Sequence, residues 1–128
     1  MKTGIERITE ERTRQITHEG WSQTHDAEHS AGVLCAAGTC YEIVADIQAQ
    51  HGECRVAMPK TWPWEERWWK PATNAARNYE KAGALFKAEA DRYRWFRDFH
   101  NARLWDIEAE RIGRKIDGLS DTLLVVKG

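Results

Sequence analysis

The sequence predicts an all-α fold: a single-domain bundle of about four helices, with one long loop rich in Trp and Pro. Three observations lead there. Apolar and small residues recur near the helical period over long stretches, as at Tyr79, Gly83, Phe86, Ala90 and Tyr93. All three prolines, Pro59, Pro63 and Pro71, fall in one segment, so helix breakers are absent on either side of it. No internal repeat or low-complexity stretch divides the 128 residues, a length suited to one domain with a real core, so one domain is expected over 1–128.

The first helix is expected over about 5–19, with sparse apolar positions at Ile5, Ile8 and Ile16, and Gly20 as its stop. A polar connection, Trp21 to Asp26, follows. The second helix is expected over about 27–50. Its small residues around Leu34, Ala37, Tyr41 and Ala45 suit close packing, and His51-Gly52 ends it. Residues 52–73 form the long connection, and loops of that length in compact domains tend to be functional. Thr73 or Asn74 can cap a third helix over about 74–98. A bend near His100-Asn101 leads into a fourth over about 102–117, closed by Gly118. Leu119 to Val126 reads as an apolar tail with some strand character, docked on a neighbour.

Composition removes several function classes. The 19 Lys and Arg against 20 Asp and Glu give no overall field for nucleic acid, so no sequence-specific nucleic-acid partner is expected. No run approaches the ~20 apolar residues of a membrane span. Met1 to Arg7 lacks an apolar signal region, which predicts a cytoplasmic protein. Cys35, Cys40 and Cys54 lack zinc-ligand spacing, and no metal or cofactor is expected.

Chemistry concentrates in Trp62-Pro63-Trp64-Glu65-Glu66-Arg67-Trp68-Trp69-Lys70, which holds four of the seven tryptophans. Such a cluster either plugs the end of a helical core or lines a pocket for a flat ligand such as a nucleobase. His25 and His29, four residues apart at the expected start of helix two, either sit at an exposed, capped helix end or contact an anion. Arg14, Lys70, Arg77 and Lys81 either belong to a solvated, ion-paired face or form a cationic pocket under the Trp loop. The Ala82-Gly83-Ala84 seam and the apolar surface through Phe96, Phe99 and Trp105 predict a homo-oligomer, most simply a dimer.

Over residues 10–92 the chain resembles a group of small phage and prophage proteins, while 93–128 form an unmatched C-terminal helical extension. The pattern of that group is carried here by Glu11, Arg12, Arg14 and Gln15, then by Glu19, Gly20, Trp21, Ser22, His25, Asp26, His29, Gly32 and Leu34. It continues through Trp62-Pro63-Trp64 and Trp68-Trp69-Lys70-Pro71, then Arg77, Lys81-Ala82-Gly83-Ala84-Leu85, Ala88, Glu89 and Arg92. The group is in turn distantly similar to the MazG-like all-α NTP pyrophosphohydrolases. Those enzymes hold Mg²⁺ with an E-E-x-x-E motif on one helix and E-x-x-D on a later one, oxygen ligands suited to a hard cation. Here the motif positions are His29, Ser30 and Val33, then Asn78 and Lys81, and none carries a carboxylate.

The resemblance thus implies a nucleotide-binding protein of degenerate MazG-like type that captures its ligand without turnover, as an anti-defence, signal-sequestering protein would. Trp62, Trp64 and Trp69 would stack the base; Arg14, Lys70, Arg77 and Lys81 would take phosphates, with His25 and His29 assisting. No catalytic residue is expected on this reading. Two alternatives stand beside it. One is a divergent nucleotide pyrophosphohydrolase using Asp26, Glu28, Glu42, Asp46 and Glu80. The other is a protein inhibitor whose partner is a host defence complex.

Overall fold

The computed structural model describes residues 1–18 and 32–127, with side chains described through Leu119. The described chain is all-α. It comprises α1 (Gly4–His18), α2 (Val33–His51), a 3₁₀ turn (Glu66–Trp68), α3 (Ala75–Trp95) and α4 (Phe99–Lys127), with no strand among the described residues. None of its helices is long and apolar enough to cross a membrane.

α3 is the central helix and packs against each of the other three, while α1 also lies on α4. Its residues explain that position. Ala82, Ala84, Ala88 and Ala90 are all fully buried, so α3 is small-sided and dry around much of its circumference. Two apolar clusters flank it. One gathers Ile8, Tyr79, Phe86, Ile112 and Ile116. The other gathers Leu34, Cys40, Tyr41, Leu85 and Trp62, and it carries the Trp-rich loop.

The small-residue seam works inside the protomer. A Cβ built on Gly83 would overlap the side chain of Ile8, so α1 lies directly on α3 at that point. Gly4 and Gly113 similarly allow the α1 and α4 backbones to touch, and the Gly4 N–H donates to Asp117 Oδ1 at 2.7 Å. The seam therefore gives no surface for a second copy, contrary to the sequence expectation that it forms an oligomer contact.

Helix ends follow local chemistry. Asn74 caps α3, its Oδ1 accepting from the Arg77 N–H at 2.9 Å. Gly32, in the left-handed region at φ 89°, precedes α2, and the part of the expected helix before it lies outside the described residues. The bend after α3 comes at Phe96–Asp98, a few residues before His100-Asn101. Arg97 adopts φ 60° there, the Asp98 N–H reaches Tyr93 C=O at 2.9 Å, and the Arg97 N–H reaches Arg94 C=O at 3.0 Å. These bonds make a Schellman ending with Arg in the position usually held by Gly. Asp98 then caps α4, accepting from the Asn101 N–H at 3.1 Å. Gly118 does not stop α4, which runs to Lys127, so the apolar tail is helical and not strand-like.

The segment 52–74 is fastened at both ends by two buried carboxamides. Gln48 Nε2 donates to Cys54 C=O at 2.8 Å and to Ala72 C=O at 3.1 Å. Asn78 Nδ2 donates to Gln48 Oε1 at 2.7 Å and to Ala72 C=O at 2.9 Å, while Asn78 Oδ1 accepts from the Ala72 N–H at 2.8 Å. Every one of these bonds joins helix to loop or helix to helix, so the loop begins and ends at fixed points on α2 and α3.

Candidate functional site

The aromatic residues of the loop divide into a buttress and a wall. Trp62 is buried in the core, its indole N–H donating to Glu65 C=O at 3.2 Å, which satisfies the donor that makes Trp hard to bury. Trp69 stacks on Tyr41 with ring centres 4.7 Å apart and meets Trp62 edge-on at 4.8 Å. Tyr41 Oη in turn accepts from the Lys70 N–H at 3.3 Å. This buttress fixes the loop against α2. Trp64 leans edge-on against Trp62 at 5.3 Å, and Trp68 is half exposed beneath the cations of Arg67 and Lys70.

A cavity of about 760 Å³ opens against this wall. That size suits a small organic molecule. Trp62, Pro63, Trp64 and Trp68 form the loop side, Leu34 and Tyr41 come from α2, and Lys81 and Leu85 from α3. The remaining side is polar and comes from α1, as Glu11, Arg14 and Gln15. The lining carries the cations Arg14, Lys70 and Lys81 and the carboxylates Glu11 and Glu65. The Lys81 ammonium donates to Lys70 C=O at 2.5 Å and lies over the Tyr41 ring at 5.6 Å, so it is held against the aromatic wall.

Glu11 is the electrostatic pivot of the α1 side. It is 4% exposed. Arg14 Nε and Nη2 donate to its two oxygens at 2.6 and 3.0 Å, and Arg77 Nη2 reaches Oε1 at 3.1 Å. Burial alone would raise the carboxyl's pKa, but the Arg14 hydrogen bonds and the charges of Arg77 and Arg14 outweigh it and hold Glu11 below its ordinary value, ionised. Gln15, one turn further on and 3% exposed, has an Oε1 with no hydrogen-bond partner among the described residues.

The structure brings together Arg14, Trp62, Trp64, Lys70 and Lys81 of the sequence-predicted set. Trp69 stands behind the cavity as part of the buttress. Arg77 lies in an adjoining hollow of about 440 Å³ with Arg7 and Glu80, paired to Glu11 and, at 3.0 Å, to Glu80. His25 and His29 lie outside the described residues. Asn78, expected from the motif comparison to belong to the pocket, is instead fully buried in the carboxamide pair that holds the loop. The alternative carboxylates are also committed elsewhere. Glu42 binds Arg111 and Lys115, Asp46 binds Tyr79 and Lys115, and Glu80 binds Arg7 and Arg77. Asp26 and Glu28 lie outside the described residues, and among those described no three His, Cys, Asp or Glu side chains converge on a possible metal position.

Tyr41, Glu11 and Gln15 escape a reading of the sequence as site residues. Glu11 and Gln15 enter the sequence reading only as residues of the phage-group pattern, one turn apart on a helix whose surface is otherwise crowded with charge, which disguises a buried polar pair, and Tyr41 enters only as a packing residue. Comparison with protein-family models, with curated proteins and with solved structures returned no match. The site's meaning therefore rests on its own geometry.

Proposed function

We propose that the chain binds a nucleotide-like anion in the Trp cavity and holds it without hydrolysis. The observation that carries this reading is one cavity whose lining includes three indoles, Trp62, Trp64 and Trp68, and two lysines, Lys70 and Lys81. Stacking on an indole is worth roughly 1–3 kcal/mol per base. Lysine supplies the point charge that phosphate takes without a metal. Lys81 stands where the MazG-like pattern would place an acidic residue, which favours capture over metal-assisted cleavage. A phage-type sequestering role fits such a binder. The exposed Phe96 and Phe99, 57% and 65% accessible, support the expectation of self-association in place of the seam, and a monomeric mass by light scattering would remove it.

Calorimetric titration with mono-, di- and cyclic nucleotides tests the binding reading. The wild type should bind at least one with micromolar affinity, and Lys70→Ala with Lys81→Ala should abolish binding while the ligand-free thermal midpoint moves little. Absence of binding to every nucleotide would end the reading and favour the protein-inhibitor alternative.

A further inference from the structure

The hollow of about 440 Å³ that adjoins the Trp cavity is lined only by ionisable side chains: the cations Lys2, Arg7, Arg14 and Arg77 against three carboxylates. With no apolar lining it has nothing to offer an aromatic ring and suits a charged group. Lys2 and Glu10, both well exposed, pair with each other at 2.6 Å. What remains is three guanidiniums on two carboxylates. Arg7 Nη1 reaches Glu80 at 3.4 Å, Arg77 Nη1 reaches Glu80 at 3.0 Å, Arg77 Nη2 reaches Glu11 at 3.1 Å, and Arg14 holds Glu11 through Nε and Nη2.

Their depths decide which sign faces outward. The side chains of Glu11 and Glu80 are 2% and 15% exposed, whereas those of Arg7, Arg14 and Arg77 are 38%, 39% and 33% exposed. The carboxylates are covered and the guanidiniums meet solvent, so this inner surface is cationic although its formal charges almost cancel. Donors also remain. A guanidinium carries five N–H groups. Arg77 spends two of them on carboxylates, and Arg7 only one, in a long contact. Gathered cations repel, and two carboxylates answer two of the three. The planar Arg fork matches a phosphate bidentately, and Arg clusters recur wherever phosphate groups are recognised.

We infer that Arg7 and Arg77, with Arg14 beside them, form a binding site for a phosphate group in the hollow between α1 and α3. The site stands whether or not the Trp cavity takes a base. The phosphate has two possible sources, free phosphate and the phosphate of a nucleotide stacked in the cavity, because Glu11 and Arg14 line both spaces.

The test follows the thermal midpoint of the full chain against sodium phosphate, with sodium chloride at matched ionic strength as the reference for screening. The wild-type midpoint should rise saturably with phosphate and not with chloride. Arg7→Gln removes one exposed fork, and Arg77→Lys keeps the charge beside Glu11 but loses its fork. Each should weaken the apparent phosphate affinity about tenfold or more, with circular dichroism confirming the fold. Lys60→Gln, at an exposed cation that does not line the hollow, should leave the affinity unchanged. A wild-type response to phosphate no larger than that to chloride would overturn the site. So would a response kept at full strength in both Arg variants, or one weakened equally by Lys60→Gln. Calorimetric titration of AMP with and without saturating phosphate separates the sources. A weakened AMP affinity assigns the site to a nucleotide's phosphate; an unchanged affinity, or no AMP binding at all, assigns it to free phosphate.

Discussion

Asn78 shows how a residue in a ligand-motif position can be structural. Its carboxamide makes three hydrogen bonds, to Gln48 and to both polar groups of Ala72, and is inaccessible to solvent. Asn78→Ala would leave Gln48 Oε1 and the Ala72 backbone short of partners, so a loss of about 2–4 kcal/mol in unfolding free energy is expected. Chemical denaturation checks this; an unchanged midpoint would contradict the pinning role. Glu11 makes a pH-dependent contribution. Because its folded pKa lies below the ordinary 4.5, the stabilisation is fully present above that value and is lost as pH falls through the folded pKa. Glu11→Gln should therefore be less stable than the wild type at pH 7, and the gap in thermal midpoint should close as pH is lowered from 5 toward 3. A gap independent of pH would show that the ion pairs with Arg14 and Arg77 are not its source.

At the scale of elements, the helices were legible because their periodicity and caps are local properties. Asn74 at the start of α3 is the plainest case. Boundaries failed where the deciding fact was not local. Nothing in the identity of Arg97 announces a left-handed residue, and Gly118 reads as a stop although α4 runs through it. The Ala82-Gly83-Ala84 seam was legible as a close-contact surface, but periodicity could not say which helix would use it. The contact with Ile8 makes a definite prediction. Gly83→Ala should destabilise the fold by about 1–3 kcal/mol through overpacking, and Ile8→Val should recover part of that loss in the double variant. A thermal-melt double-mutant cycle with strictly additive losses would contradict the contact.

At the scale of the whole molecule, the candidate site was half visible. The Trp-Pro cluster announced itself by composition, and the lysines by their placement beside it. The contribution of α1 was hidden, because Glu11 and Gln15 become cavity residues only when Ile8 seats that helix on Gly83 and its next turns face the loop. Within the Trp cluster, Trp62 and Trp69 serve the core and buttress, while Trp62, Trp64 and Trp68 line the cavity. The central claim is that this wall is where a nucleotide stacks. The direct measurement is an NMR titration that follows the indole N–H signals, assigned by single Trp→Phe replacements, as mono-, di- and cyclic nucleotides are added. The account predicts that the Trp64 and Trp68 signals shift saturably while that of Trp95, which does not line the cavity, stays in place. Unmoved Trp64 and Trp68 signals at millimolar concentrations of each, or a shift confined to Trp95, would contradict it.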